Sequence, residues 1–380
     1  MISVAAFAFW SCFGWVAWVY VGYPVVIAVI ARLRNNAVAS EPQTPSLSVL
    51  IAAHNEVEHI GATVRNKLEQ DYPYDQLEVI VVSDGSDDGT DDVVRALNDD
   101  RVRLLRQEPR QGKTAALNRA VEATNSELLV FSDANSLYEP GVLRHLAAVF
   151  ADSSVGYATG KMIYGNPDGS VVGDGCTSYM RYENWLRRSE TLAGSVVGVD
   201  GGVDAVRRRL YRPMRADQLP DFVLPLAVVS AGYRVVYQPA AILKELALSD
   251  TGQEFRMRVR VSLRALWALW DMRMLLNPLR FPLFSFALWS HKVMRYLAFI
   301  PLISLPFLNL ALLGVAPIYT LALLFQSGFW ALAAIGARPG AGRLTGWPFY
   351  FGMLNWAAAV AFFRFVRREK QVTWQPRGGT

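Results

Sequence analysis

The chain has 380 residues, of which 52% are hydrophobic and only 19% charged. With a mean hydropathy of +0.19 it is too apolar for an ordinary soluble enzyme, and its length allows two domains. The net charge of +5 comes from 38 Lys+Arg against 33 Asp+Glu, but no basic helix with interleaved aromatics lies outside the apolar ends, so no nucleic-acid partner is expected. The two cysteines, Cys12 and Cys176, are far apart and suggest neither a disulfide framework nor a zinc site.

Residues 2–30 carry no charge and are long enough to cross a bilayer. Arg32 and Arg34 follow at once, which predicts that this end of the span faces the cytoplasm. Ala37-Val38-Ala39 resembles a signal-peptide cleavage site. No basic stretch precedes the apolar run, however, and the run is too long for such a peptide, so residues 1–34 are expected to be an uncleaved anchor. Residues 35–45, with Pro42 and Pro45, form a linker.

Residues 45–250 alternate strand-like and helix-like patterns. The apolar runs 47–51, 79–82, 102–105 and 128–131 read as strands. Ile60, Val64 and Leu68 recur at helical spacing. Thr90 reads as an N-cap with Asp91 and Asp92 in the first turn, and residues 113–121 read as a further helix. The alternation predicts an α/β domain with a parallel sheet and helices on both faces.

The chemistry gathers after those strands: Ala52-Ala53-His54-Asn55-Glu56 after the first, Ser83 through Thr90 after the second, and Asp133-Ala134-Asn135 after the fourth. The carboxyl ends of parallel strands face the crevice where such sheets bind ligands. Asp133 can hold a divalent cation there with Asn135 as a neutral oxygen partner, and the cation can carry a nucleotide diphosphate. A plain turn is the competing reading. Asp84 emerges directly from its strand, whereas Asp87 and Asp88 read as a solvated loop. Gly112-Lys113-Thr114 looks like the end of a Walker A loop, but Gln107 stands at the required upstream glycine. Lys113 is therefore either a helix-start residue near a phosphate or simply solvated. No Gly-x-Gly-x-x-Gly follows the first strand, which disfavours a dinucleotide fold.

Residues 251–292 are basic and amphipathic, with Arg256, Arg258, Arg260, Arg264, Arg273 and Arg280 beside Leu263, Leu266, Trp267, Leu269 and Trp270. That pattern suits a helix lying on an anionic cytoplasmic leaflet. Residues 293–368 hold three further candidate spans, at 296–313, 315–335 and 347–366, and 369–380 form a tail. Three crossings would put the C-terminus outside, whereas Arg364, Arg367, Arg368 and Lys370 predict it inside. One segment that does not cross, or further membrane structure within 281–313, would remove the conflict.

In their order along the chain, these motifs resemble the membrane-bound, processive-type family 2 glycosyltransferases, which include hyaluronan, poly-N-acetylglucosamine, chitin and cellulose synthases. The likeness runs from about Ser46 to about Val366. It is carried by His54-Asn55-Glu56, Val82-Ser83-Asp84-Gly85-Ser86, Gly112-Lys113 through Asn118, Asp133-Ala134-Asn135, Leu219-Pro220-Asp221-Phe222, Gly232-Tyr233-Arg234-Val235 and Met257-Arg258-Val259-Arg260-Val261. Val261 stands where the family has a tryptophan, and Pro220 stands where it often has a second acid.

The resemblance implies a cytoplasmic GT-A-type domain flanked by membrane helices. It implies inverting transfer from a UDP-sugar to a polysaccharide acceptor at the cell (inner) membrane, with export of the product as a coupled step. The donor contacts it implies are His54, Asn55, Glu56, Asp84, Lys113, Asp133, Arg258 and Arg260. Among these, Asp84 faces the uracil and Glu56 lies near the ribose. Asp133 and Asn135 would hold Mg2+ or Mn2+, and Asp221 would be the catalytic base. Asp200, Gly201 and Trp185 would lie on the acceptor side, although Asp200-Gly201-Gly202 also reads as a tight turn and Trp185 as part of a core stripe. A lipid-linked acceptor receiving one sugar, and an inactive scaffold subunit of an export machine, are the alternatives. The oligomeric state is left open.

Overall fold

The computed structural model describes residues 2–165, 171–246, 250–338 and 343–371. The chain forms two compact units. An α/β unit comprises Ala31–Ile163, Arg187–Glu245 and the chain from Lys370 on. A helical unit comprises Met1–Ile30, Tyr164–Leu186 and Leu246–Glu369. The stretch Tyr164–Leu186, expected within the 45–250 domain, thus groups with the apolar helices.

The α/β unit is built on strands β1 (Leu47–Ala53), β2 (Leu77–Asp84), β3 (Val102–Gln107), β4 (Leu128–Asp133), β5 (Leu137–Tyr138), β6 (Val155–Gly165), β7 (Asp204–Arg207) and β8 (Arg234–Leu246). They make one eight-stranded sheet in the order β3-β2-β1-β4-β7-β6-β8-β5. β1 is buried along its whole length, which is why it reads as a continuous apolar run rather than an alternating one. β1 pairs parallel with β2 and β4, and β2 with β3. The pairs β4–β7, β6–β7 and β5–β8 are antiparallel. The sheet is therefore mixed, not wholly parallel as its first four strands suggest.

Register places the strand ends level with one another. Ala53 lies opposite Ser83, Ala52 opposite Asp133, and Asp84 opposite Gln107. The three polar clusters read from the sequence do share one edge.

Two local expectations are corrected. Gly89, at φ +97°, is the N-cap of the helix Thr90–Arg95, because the Thr90 hydroxyl is used elsewhere. On the helix Ile60–Leu68 the buried face runs through Ile60, Val64 and Lys67, while Leu68 is only half-buried.

In the helical unit, Ser3–Arg34, Pro317–Gly336 and Leu344–Val366 are long and apolar enough to cross a membrane. The expected span 296–313 is instead the end of a bent pair, Pro282–Tyr296 and Phe299–Ala311, which meet at 60°. Pro301 has no N–H to bond back to the Leu297 carbonyl, so a continuous helix is interrupted there. Phe9 on the first helix packs with Leu305, Leu312 and Tyr319, its ring centroid 5.2 Å from that of Tyr319. The amphipathic helix Thr251–Asp271 lays Val259, Leu263 and Leu266 against Ala357 and Ala361 of the helix Arg343–Val366. Phe325, Leu324 and Leu321 stay exposed along the second span, as side chains facing lipid would.

Candidate active site

The loops after β1 and β2 clamp each other. Asn55 adopts the left-handed conformation at φ +54°. Its side-chain amide donates to Asp87 Oδ1 at 2.8 Å, and its oxygen accepts from the Asp87 backbone N–H at 3.0 Å. Glu56 N–H donates to Thr90 Oγ1 at 2.9 Å, and Val57 N–H donates to Asp88 Oδ2 at 3.0 Å. His54 Nδ1 lies 2.8 Å from the Asp84 carbonyl oxygen. Asp87 and Asp88, expected as a solvated loop, are thus exposed but hold two strand ends together. Burial, reinforced by the charges of Asp133 and Asp88, raises the Glu56 carboxyl to about 7.

Asp84 is fully buried, and its carboxylate faces the loop after β3. Oδ1 accepts from Gln107 Nε2 at 2.6 Å and from the Gln111 N–H at 2.8 Å, and Oδ2 accepts from the Gly112 N–H at 2.9 Å. Gly112, at φ +97°, then turns the chain into the helix Lys113–Glu122. Three side chains of that helix reach outward. Lys113 Nζ pairs with Asp133 Oδ1, Thr114 Oγ1 donates to the Gln218 carbonyl at 2.9 Å, and Asn118 grips the Tyr211–Met214 segment through Met214 O, Met214 N and the Tyr211 hydroxyl.

Behind Asp133 and Asn135 lies a feature that the sequence reading missed. Lys67 is fully buried. Its Nζ donates to the Ser136 carbonyl at 2.6 Å and to Asn66 Oδ1 at 3.0 Å, and it sits 3.5 Å from the centre of the Tyr138 ring. Burial pulls its ammonium well below the usual lysine range, while the charges of Asp133 and Glu245 oppose that pull. Ser136 Oγ donates to Glu245 Oε1 at 3.0 Å, and the Tyr138 hydroxyl donates to the carbonyls of Phe131 and Gly202. The available signal was a lysine seven residues after Ile60, on the helix face that Ile60 and Val64 bury. Among the described residues no group of three or more His, Cys, Asp or Glu forms a metal cage. Asp133 and Asn135, both half-buried, offer one charged and one neutral oxygen. Such hard oxygens suit Mg2+ or Mn2+ only as part of a shell that phosphate and water complete.

The remaining carboxylates gather around the turn before β7. Asp200 is pinned by Arg187, whose Nη2 lies 2.5 Å from Oδ1 while Nη1 meets Oδ2, and both side chains are buried. Arg187 Nε also donates to the Gly198 carbonyl at 3.1 Å. Gly201 has φ +92°, and a Cβ there would collide with the carboxylate of Asp221. Glycine is needed at 201 both for the backbone and for that approach. Asp221 lies in the first turn of the helix Pro220–Ser230, where the N-terminal dipole favours its charge. Asp204, fully buried at the start of β7, has its carboxyl raised to about 7 by burial, with the charges of Asp221 and Asp200 adding to the rise.

Arg258, Arg260 and Trp185 belong to the helical unit. Arg258 donates to Glu254 Oε1 and to the Tyr350 hydroxyl, each at 2.8 Å. Arg260 is half-buried, and Trp185 is exposed on the helix Val171–Ala193.

The Asp204 carboxyl gives a stability test. Its pKa is raised from 3.8 to about 7 in the folded chain, so the unfolded chain ionises first. Stability contributed by the protonated form is present below the unfolded pKa and is lost as pH rises towards 7, then stays lost. Asp204→Asn removes this cost. The variant should gain on the wild type by up to about 4 kcal/mol between about pH 4 and about pH 8. Thermal melts of both proteins across that range check it, and parallel curves would sink the assignment.

A family model described as Glycosyl transferase family 2 matches residues 48–212. The chain is similar to beta-monoglucosyldiacylglycerol synthase of Trichormus variabilis, with 28% identity over 185 residues that cover 48% of this chain and 40% of that protein. It is also similar to poly-beta-1,6-N-acetyl-D-glucosamine synthase of Staphylococcus aureus, with 27% identity over 273 residues that cover 66% of this chain and 64% of that protein. The chain thus spans from 40% to 64% of the length of these two curated relatives. In fold it is similar to mannosyltransferase PcManGT from Pyrobaculum calidifontis, solved in complex with GDP-Man and Mn2+. The TM-score is 0.69 at 22% identity, covering 95% of this chain and 98% of that one. The matched segment takes in the clamped strand ends, the Asp84-bound loop and the Lys113–Asp133 pair. Through residues 48–212, then, the chain carries a glycosyl transferase family 2 domain with a GT-A-like mixed sheet.

Proposed function

We propose that the protein is an inverting glycosyltransferase that moves a sugar from a UDP-sugar to a growing polysaccharide at the cytoplasmic face of the cell membrane. The observation that carries this reading is the seating of Asp221. Asp200 is committed to Arg187 and Pro220 has no carboxylate, so Asp221 is the base the turn presents, close against Gly201. One positioned carboxylate can take the acceptor proton as the hydroxyl attacks the anomeric carbon. A single direct displacement inverts the anomeric configuration.

On the donor side, the loop that Asp84 holds borders the nucleotide, and Glu56 lies towards the ribose. Asp84 contributes by shaping that loop, since its own oxygens already accept three donors. Asp133 and Asn135 would hold Mg2+ or Mn2+, which when bound neutralises charge on the leaving diphosphate. Lys113, paired with Asp133 in the ligand-free chain, adds a positive charge that a phosphate oxygen can take over. A second reading, transfer of one sugar to a lipid, is favoured by the similarity to the glucosyldiacylglycerol synthase.

Purified full-length protein, incubated with UDP-glucose, UDP-N-acetylglucosamine and GDP-mannose in Mg2+ or Mn2+, should release UDP and not GDP. Release from GDP-mannose alone would overturn the donor assignment. Product sizing separates polymer from glycolipid, and tight UDP binding with no turnover of any donor would mark a scaffold. Asp221→Asn should lower transfer by roughly a thousandfold while UDP still binds. Wild-type UDP release by that variant would remove Asp221 as the base. Asp133→Ala should abolish metal-dependent turnover, whereas Asn135→Asp should keep it. Retained metal dependence in Asp133→Ala would place the ion elsewhere.

The proposed topology counts Ser3–Arg34, Pro317–Gly336 and Leu344–Val366 as crossings and the bent pair as re-entrant. Two crossings after a cytoplasmic domain return the C-terminus to the cytoplasm, as Arg364, Arg367, Arg368 and Lys370 require. A reporter fused after Thr380 should read cytoplasmic, and an external reading would force the bent pair to cross.

A further inference from the structure

The helical unit encloses a cavity of about 340 Å³ that the transfer chemistry above does not use. Its wall combines three kinds of surface. Arg258, His291, Lys292 and Arg295 supply four basic side chains, and among the described residues no Asp or Glu lines it. Tyr20, Tyr179, Tyr182, Tyr296 and Tyr350 supply phenols. Val21, Val261, Phe351, Leu354 and Ala358 supply an apolar side, and four of these five lie on candidate membrane spans.

The carboxylates that hold these cations stand behind the wall. Glu183, 2% exposed, meets Arg295 Nη1 at 2.5 Å and His291 Nε2 at 3.4 Å, with Lys292 Nζ at 3.9 Å. Glu254, also buried, takes Arg258 Nε at 2.8 Å. The Arg295 guanidinium carbon lies 5.2 Å from the Tyr179 ring centre and 5.6 Å from that of Tyr182, which fixes its direction. Cations anchored from behind, with water-excluding walls, focus positive potential into the open space. Ionisable groups in an apolar helical unit are costly and usually mark a ligand or ion path. A structural ion-pair network would gain most by closing around its charges, yet here an open volume of ligand size remains.

We propose that this cavity binds the phosphate headgroup of an anionic lipid, with the acyl chains leaving along the Val21, Phe351 and Leu354 side. The cations, with the phenols of Tyr182 and Tyr296, donate to phosphate oxygens, and the apolar side takes hydrocarbon. The same chemistry would accept free phosphate, so the test separates the two sources. It reads binding alone and does not depend on the transfer reaction.

Native mass spectrometry of the detergent-solubilised full chain would be run with phosphatidic acid, with diacylglycerol of the same chains, and with inorganic phosphate. Phosphatidic acid should be retained at least about tenfold more tightly than either of the others. Lys292→Gln, which removes the cation farthest from Glu183 and leaves the closer Arg295 and His291 contacts in place, should weaken it by about tenfold. Val261→Phe, which fills the cavity and leaves all charges in place, should do the same; melting temperatures confirm that each variant is folded. Diacylglycerol bound as tightly as phosphatidic acid would overturn the headgroup assignment. Inorganic phosphate bound as tightly would overturn the lipid assignment. Wild-type binding in Lys292→Gln, or in Val261→Phe should Lys292→Gln fail to fold, would overturn the site.

Discussion

The carboxylate of Asp84 is the constraint from which the rest of the α/β site follows. It sits at the end of β2, wholly out of water, and is stable there because Gln107 at the end of β3 and the Gln111 and Gly112 N–H groups of the next loop converge on it, with Arg110 Nε 3.8 Å away. A buried carboxylate with backbone N–H partners fixes the backbone that supplies them. That fixes Gly112, and Gly112 sets where the helix Lys113–Glu122 begins. From that helix Lys113 reaches Asp133, and Thr114 and Asn118 hold the segment that leads into Asp221. The Asp133 edge and the segment that leads into Asp221 are thus spaced by one helix whose start is set by one buried charge.

The same edge crowds carboxylates together, and the protein handles each by a different means. Asp200 is neutralised by a bidentate arginine. Asp133 is neutralised by Lys113, with buried Lys67 bonded to the Ser136 carbonyl behind it. Glu56 and Asp204 are pushed towards neutral pH by burial and by neighbouring charge, so each holds its proton to a higher pH than an ordinary carboxylate. Asp221 keeps the most favourable seat for an anion, the first turn of a helix. Carboxylates with separated proton affinities on one edge are what an acid–base site requires.

Legibility followed burial and locality. β1, β2, β3 and β4 could be read because strands of a parallel sheet are apolar runs. β6 and β8 mix charged and small residues, β7 is four residues long, and their pairing is antiparallel, so neither pattern nor length announced them. The placement of Asp133 and Asn135 at a strand end and of Asp221 at a helix start was legible because each is a local signal. Arg187 and Lys67 were not, since partners 13 and 69 residues away leave no mark on the local helical pattern. Asp84 was read as a ligand contact because sequence shows a carboxylate at a strand end but not which way it faces. The bend before Phe299 was missed because composition counts apolar residues and does not weigh the N–H that Pro301 lacks.

The two units divide their cations in a way that bears on the donor site. Arg258 is bonded to Glu254 and Tyr350, and Tyr350 donates in turn to Glu254, so the three form a closed triangle within the helical unit. Removing Arg258 would leave Glu254 buried with a lost counter-charge, a cost of several kcal/mol by the usual behaviour of buried pairs. A deficit in that variant would therefore mix loss of structure with loss of chemistry. Lys113 is different. Its partner Asp133 is one-third exposed, and the pair belongs wholly to the α/β unit. A cation held at a half-open carboxylate can exchange partners at low cost, whereas one locked in a buried triangle cannot. On the reading proposed above, the charge that answers an incoming diphosphate would therefore be that of Lys113 before that of Arg258.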